Sequence, residues 1–202
     1  MKSENLRELT LFSMFAAIVL IFGFTPQLGF IQATPGLLIT TIHIPVIIGA
    51  CALGWKYGAV LGGLFGVIGV IRHSFIAPGM YSYYFTPLYS VEMKAHGNVW
   101  SLVISIVPRI LIGLVAGLVF YLLIKKKAPV PVAAGVAAAC GTLTNTVLVL
   151  TGISVFFKGD GVVGLANTLV KTAVSINFVI ELPAAIVLSV AIVPVLKKLR
   201  KA

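Results

Sequence analysis

Asn177 and Glu181 stand four residues apart in an apolar stretch, a spacing that puts both on one face of a helix. Arg109 follows Pro108 in another apolar stretch, and His43, Arg72 and Asn145 likewise fall within apolar stretches. A guanidinium, a carboxylate, an imidazole and carboxamides in such surroundings can do two kinds of chemistry. They can hold a small polar anion, the arginine meeting a carboxylate with two parallel N–H groups and the amides supplying further hydrogen bonds. They can also satisfy one another and staple helices together. For Arg109, Asn145, Asn177 and Glu181 both readings stand at this stage.

The elements that carry these residues follow from composition. Of 202 residues, 59% are hydrophobic and only 10% charged, with a mean hydropathy of +1.11. A soluble domain carries about a quarter charged residues, and disordered, fibrous and disulfide-rich chains are excluded on the same grounds. At roughly 20 residues per span, the chain holds five or six membrane helices with no room for a soluble catalytic domain. The net charge of +10 would point to nucleic acid in a soluble protein, but Lys and Arg sit mostly at the ends of apolar runs, where they set membrane topology. No nucleic-acid partner is expected. Cys51 and Cys140 lie inside apolar segments and read as packing residues. The histidines lack ligand spacing, so no metal site and no cofactor are expected.

The expected fold is all-α: a single membrane domain over residues 1–202, with six transmembrane helices at about 9–24, 37–55, 58–76, 101–124, 130–156 and 169–196. The first run resembles the apolar core of a signal peptide behind Lys2 and Arg7, but Glu4, Glu8 and the lack of a small-x-small site argue against cleavage. Pro26 and Pro35 mark the first connection, Trp55–Gly58 reads as a tight turn, and Lys158–Gly161 opens the last loop. The longest loop, Pro78 to Trp100, holds Tyr81, Tyr83, Tyr84 and Tyr89. With the N-terminus inside, Lys2, Arg7, Lys56, Lys125–Lys127, Lys197, Lys198, Arg200 and Lys201 share the inner side. Arg72, Lys94, Arg109, Lys158 and Lys171 fall outward. Both termini are therefore expected in the cytoplasm, the chain being a multi-pass membrane protein.

In that topology the outer half of the bundle holds Thr40, Thr41, His43, Arg72, His73, Ser105, Arg109, Thr144, Asn145, Thr146, Lys171 and Asn177, with Glu181 near mid-depth. The inner half has almost no hydrogen-bonding side chain beyond Ser189. An ionisable group facing lipid costs about 2.5–3.5 kcal/mol on insertion scales, so polar groups at depth face each other or water. A proton relay or a pore needs them through the full thickness, whereas a cavity open to the outside needs them in the outer half alone. For Arg72 and His73 the alternative is a side chain reaching to the membrane surface. Gly58, Gly62 and Gly66, and Gly113 and Gly117, recur at the spacing that lets helix backbones approach closely. Ser13 and Ala17, with Ala16 beside them, repeat it in the first helix.

Phosphate loops, zinc-protease and nucleophile-elbow motifs and paired carboxylates are absent, so an enzyme is not expected. An inverted repeat is not evident, which weakens a self-sufficient transporter. A membrane binding protein without an energy source needs a partner.

The run His43-Ile-Pro45, then Ala52-Leu-Gly-Trp-Lys56-Tyr-Gly58 through Gly66, resembles the substrate-binding S components of energy-coupling factor (ECF) vitamin transporters. Val107-Pro108-Arg109, Thr144-Asn145-Thr146 and Asn177-x-x-x-Glu181 resemble the same family, and the similarity covers almost the whole chain. The resemblance implies a six-helix bundle that captures a vitamin from outside and works with a membrane coupling (T) subunit and two cytoplasmic ATPases. It implies docking through small residues of the first helix, for which Ser13, Ala16 and Ala17 are the candidates, with serine standing where the family has alanine. Likeness to the pantothenate-specific members implies pantothenate as substrate. A small monocarboxylate with hydroxyls and an amide suits one cation, Arg109 or Arg72, with Asn145, Asn177, Glu181 and His43 around it and Tyr83 in a loop that closes over the site. Another B vitamin, such as folate, riboflavin or a pyridoxine-type substrate, or a stand-alone ion-driven transporter, are the alternatives.

Overall fold

The computed structural model describes residues 2–25, 27–34, 37–77, 81–91, 95–157 and 162–201. Pro26, Pro35, Pro78, Lys94 and Lys158–Gly161 lie outside them, as do the side chains of Lys2, Glu4, Arg200 and Lys201. Six helices form: α1 (Lys2–Phe24), α2 (His43–Leu53), α3 (Trp55–Ile71), α4 (Val99–Lys125), α5 (Val130–Phe156) and α6 (Val162–Lys201). Two short hairpins, β1 (Phe30–Thr34) with β2 (Leu37–Thr40) and β3 (Ser90–Val91) with β4 (Ala95–His96), fill connections.

Among the described residues, five helical segments are long and apolar enough to cross a membrane; α2 is not. Its eleven residues rise about 16 Å, half of a hydrocarbon core of about 30 Å. All eleven are buried, and α2 touches each of the other five helices. An apolar surface on every side makes it the axis around which the others pack.

The expected second helix began at Leu37; the structure starts it at His43. Leu37–Thr40 is instead a strand, Phe30 pairing with Thr40 and Ile31 with Ile39. A short apolar run ending in Ile39, Thr40 and Thr41 suits a strand as well as a helix, and periodicity cannot separate them over so few residues. The turn expected at Trp55–Gly58 sits one residue earlier. Gly54 has φ +111°, in the region open to glycine, and Trp55–Gly58 already belong to α3.

The glycine series of α3 lies against α4. A β-carbon at Gly58 would strike the Gly113 backbone, at Gly62 the Arg109 carbonyl and at Gly66 the Ile106 backbone. These glycines bring two backbones together and so fix where Arg109 sits. After Ile71 the helix widens into a π turn, Arg72–Ile76, a distortion often found where side chains have work to do.

The long loop between α3 and α4 is folded down on the bundle. A single 3₁₀ turn, Ser82–Tyr84, buries both tyrosines against Ile104 of α4 and Val149, Ile153 and Phe157 at the end of α5. The Ser101 hydroxyl donates to the Tyr83 carbonyl at 2.7 Å, and the hydroxyls of Ser74 and Thr86 lie 2.6 Å apart. Burial raises the phenols of Tyr83 and Tyr84 above their ordinary range, so these two side chains stay uncharged. On α1, Ser13 and Ala17 face outward while Ala16 packs against the core.

The glycine contacts give a paired prediction. Gly62→Ala should lower the unfolding temperature of the detergent-solubilised protein by several degrees, because its methyl group meets backbone. Gly63→Ala, whose methyl group would rest 3.6 Å from the Ile110 side chain, should leave it nearly unchanged.

Candidate binding site

Glu181 is buried on the inward face of α6, in a row with Ala185, Ser189 and Val193 at four-residue intervals. One of its carboxylate oxygens accepts the Thr40 backbone N–H at 2.6 Å and the Thr40 hydroxyl at 2.7 Å. The end of the first hairpin is thus tied to the middle of α6. Next to Thr40 in the chain, His43 begins α2 at 2% exposure, and neither ring nitrogen has a hydrogen-bond partner among the described residues. It lies within electrostatic reach of both Glu181 and Arg109.

Arg109 is half-buried, about 15 Å along α4 from its first residue. Its guanidinium donates to the Ile104 carbonyl at 2.6 Å and lies 5.6 Å from the Phe65 ring and 5.3 Å from the Phe85 ring. Cations over aromatic faces at such distances are held by about 0.5–2 kcal/mol each. No carboxylate within 4 Å is recorded for it among the described residues, although Glu181 is near enough to act on its charge. A pairing of Arg109 with Glu181, one of the two readings the sequence left open, is not a direct one: the carboxylate meets Thr40 and the guanidinium a carbonyl and two rings.

Asn145 comes to the same level from α5. A β-carbon at Gly152 would meet Ile104, and one at Gly141 would meet Ala116 and the Ile112 carbonyl, so the intervening Asn145 stands opposite the Arg109 turn. Its side-chain oxygen is buried with no partner among the described residues, as are the hydroxyl of Ser105, one turn before Arg109, and that of Thr142, one turn before Asn145. Asn177 is half-buried one turn before Glu181. Each buried polar group left unpaired costs about 1–3 kcal/mol, so the three on Asn145, Ser105 and Thr142, within about a turn of the Arg109 level, make this the candidate place to receive polar atoms.

Not every candidate falls here. Arg72 is buried rather than turned to the membrane surface. It points toward the carbonyl of Gly23, at 3.4 Å, and lies 4.6 Å from the Phe30 ring, so it ties the end of α1 to the π turn. Tyr83 packs with Tyr84 and Phe157 in the loop cluster. His73 joins the site's edge instead: its ring stacks on Phe85 at 4.9 Å, and its Nδ1 lies 3.1 Å from the Ser82 hydroxyl. Phe85 therefore lies between His73 and Arg109 and roofs the guanidinium. Phe65, Phe85 and Thr86 were not singled out from sequence; an aromatic on a glycine-rich helix or in a loop carries no signal that it will meet a cation. Two hollows lie elsewhere, one along α5 and α6 at Gly135 and Val190, the other at the end of α2 by Cys51, Phe120 and Lys197.

The chain is similar to known proteins over nearly its whole length. Residues 7–196 match the family model described as the substrate-specific component of ECF transporters. The chain is 36% identical over 200 residues to the pantothenic acid transporter PanT of Lactococcus lactis subsp. cremoris, covering 99% of this chain and 98% of that protein. It is 27% identical over 204 residues to the pantothenate transporter PanT of Leuconostoc mesenteroides subsp. mesenteroides, covering 95% and 93%. Its fold is similar to the crystal structure of the S-component for biotin from an ECF-type ABC transporter. There the TM-score is 0.62 and the identity 14%, over 100% of this chain and 95% of that one.

The link between Glu181 and Thr40 can be tested as a cycle. Thr40→Val should lower stability by about 1.5–3 kcal/mol, since it removes a donor from a buried carboxylate. In the Glu181→Gln background the same change should cost less, because the partner is no longer charged. Additive losses in chemical or thermal unfolding would show that the two do not interact.

Proposed function

The chain belongs to the substrate-specific components of ECF transporters, and from that premise we propose that it binds pantothenate in an outward-facing site centred on Arg109. It is thereby a multi-pass protein of a bacterial plasma membrane and a transport component, not an enzyme. In the proposed orientation both termini are cytoplasmic and the loop carrying Phe85 lies outside. Binding is passive, and release into the cell follows docking on a membrane coupling subunit driven by two ATPases, with the exposed Ser13 and Ala17 of α1 as the docking face.

The observation that carries the ligand assignment is the state of Arg109. A permanent cation deep in a membrane bundle is held by a carbonyl and two ring faces rather than by a carboxylate. Such a guanidinium keeps N–H groups along its edge for a carboxylate, which it meets in the planar two-pronged geometry that arginine favours. The rest of pantothenate asks for mixed donors and acceptors. Neutral His43 offers one of each, Asn145 and Ser105 supply further groups, and the second oxygen of Glu181 accepts from a ligand hydroxyl. Glu181 at a short distance also disfavours a second carboxylate, which suits a monoanion over a dianion. The names of the full-length relatives point to the same vitamin.

Arg109→Ala should weaken pantothenate binding by about ten-fold or more. It should change binding of pantothenol, which carries an alcohol in place of the carboxylate, by much less. Calorimetric titration of both ligands decides it; equal losses for the two would move the carboxylate away from Arg109. In parallel, a thermal-shift comparison of B vitamins should show pantothenate as the stabilising one.

A further inference from the structure

The carbonyl that holds Arg109 is available for a reason that lies next to it in the sequence. In an α-helix the carbonyl of residue 104 is closed by the N–H of residue 108. Residue 108 is proline, which has no N–H and whose ring presses on that same carbonyl, tilting it away from the helix axis. The Ile104 carbonyl is thus both unpaired by the helix and turned outward. The Arg109 side chain, which leaves its backbone toward the helix N-terminus, reaches back five residues and donates to it at 2.6 Å.

We propose that Pro108 is a positioning residue for ligand selectivity: by freeing the Ile104 carbonyl it sets the angle at which the Arg109 guanidinium faces the ligand carboxylate. The inference rests on the reading of Arg109 as the carboxylate's partner. The geometry is particular to this place. Pro183 and Pro194 also interrupt a helix, α6, but no side-chain donor is recorded on the carbonyls they release among the described residues. Among the described residues, only at Pro108 is a freed carbonyl joined to a cation, and the rings of Phe65 and Phe85 lie 5.6 and 5.3 Å from that cation. With one N–H anchored on the Ile104 carbonyl and two aromatic rings within about 6 Å of its carbon, the guanidinium is restrained in the direction it faces. Restoring an N–H at 108 would draw the carbonyl back into the helix ladder and loosen that anchor, leaving the charge in place but its direction free.

The test compares pantothenate and pantothenol titrations for the natural protein, Pro108→Ala, Pro108→Val and Pro194→Ala, with the unfolding temperature of each ligand-free protein. Pro108→Ala should fold at least as stably as the natural protein, because it regains a helix hydrogen bond. It should lose pantothenate affinity by about five-fold or more while pantothenol affinity stays within about two-fold. Pro194→Ala should change neither. The proposal is overturned if the Pro108 variants keep the natural preference for the carboxylate, if they lose both ligands equally, or if neither folds, which would make the proline's role structural alone. Failure of the underlying reading shows separately, as an unchanged preference in Arg109→Ala.

Discussion

A guanidinium inside a membrane bundle has to be compensated locally, and how Arg109 is compensated decides what the rest of the structure is for. Exposure of such a charge to hydrocarbon costs several kcal/mol, so partners are built around it. Here those partners are a backbone carbonyl from the preceding turn and the faces of Phe65 and Phe85. The one carboxylate at similar depth, Glu181, is engaged by Thr40. The two opposite charges feel each other without neutralising by contact. That leaves the bundle interior polarised, cationic on the α4 side and anionic on the α6 side, as the proposed ligand, with a carboxylate at one end and hydroxyls at the other, would require.

Much of the surrounding architecture exists to hold this arrangement. The fully buried α2 provides the axis and brings His43 to the level of both charges. The glycines of α3 allow α4 to come close enough that Phe65 and Arg109 meet. The hairpin before α2 delivers Thr40 to Glu181. The loop between α3 and α4, pinned by Ser101 and Ser74 and packed through Tyr83 and Tyr84, lowers Phe85 onto the guanidinium. Arg72 repeats the chemistry, a cation near a carbonyl and over a ring, but between α1 and the π turn, where it ties chain segments together.

The apolar runs marked out the helices because hydropathy is a long-range property of each segment. What sequence could not resolve were choices made over four or five residues. Leu37–Thr40 is apolar enough for the end of a helix and β-branched enough for a strand, and only its pairing with Phe30–Thr34 decides. The residues of the site were legible as types: Arg109, Asn145, Glu181 and His43 stood out as polar groups in oily surroundings. Their partners were not legible. Charge alone suggested joining Arg109 to Glu181, whereas backbone geometry, through Pro108 and the hairpin, gave each a different neighbour. Phe85 and Phe65 carried no mark in the sequence, because aromatic residues in membrane proteins are common and only tertiary packing brings these two to a cation.

The account stands or falls on what the edge of that guanidinium touches when the protein is loaded. A structure determined with pantothenate bound measures this directly. The account requires the ligand carboxylate within about 2.7–2.9 Å of Arg109, with the hydroxyl end toward Glu181, His43 and Asn145. A carboxylate resting on Arg72, or a ligand seated in either hollow, would contradict it.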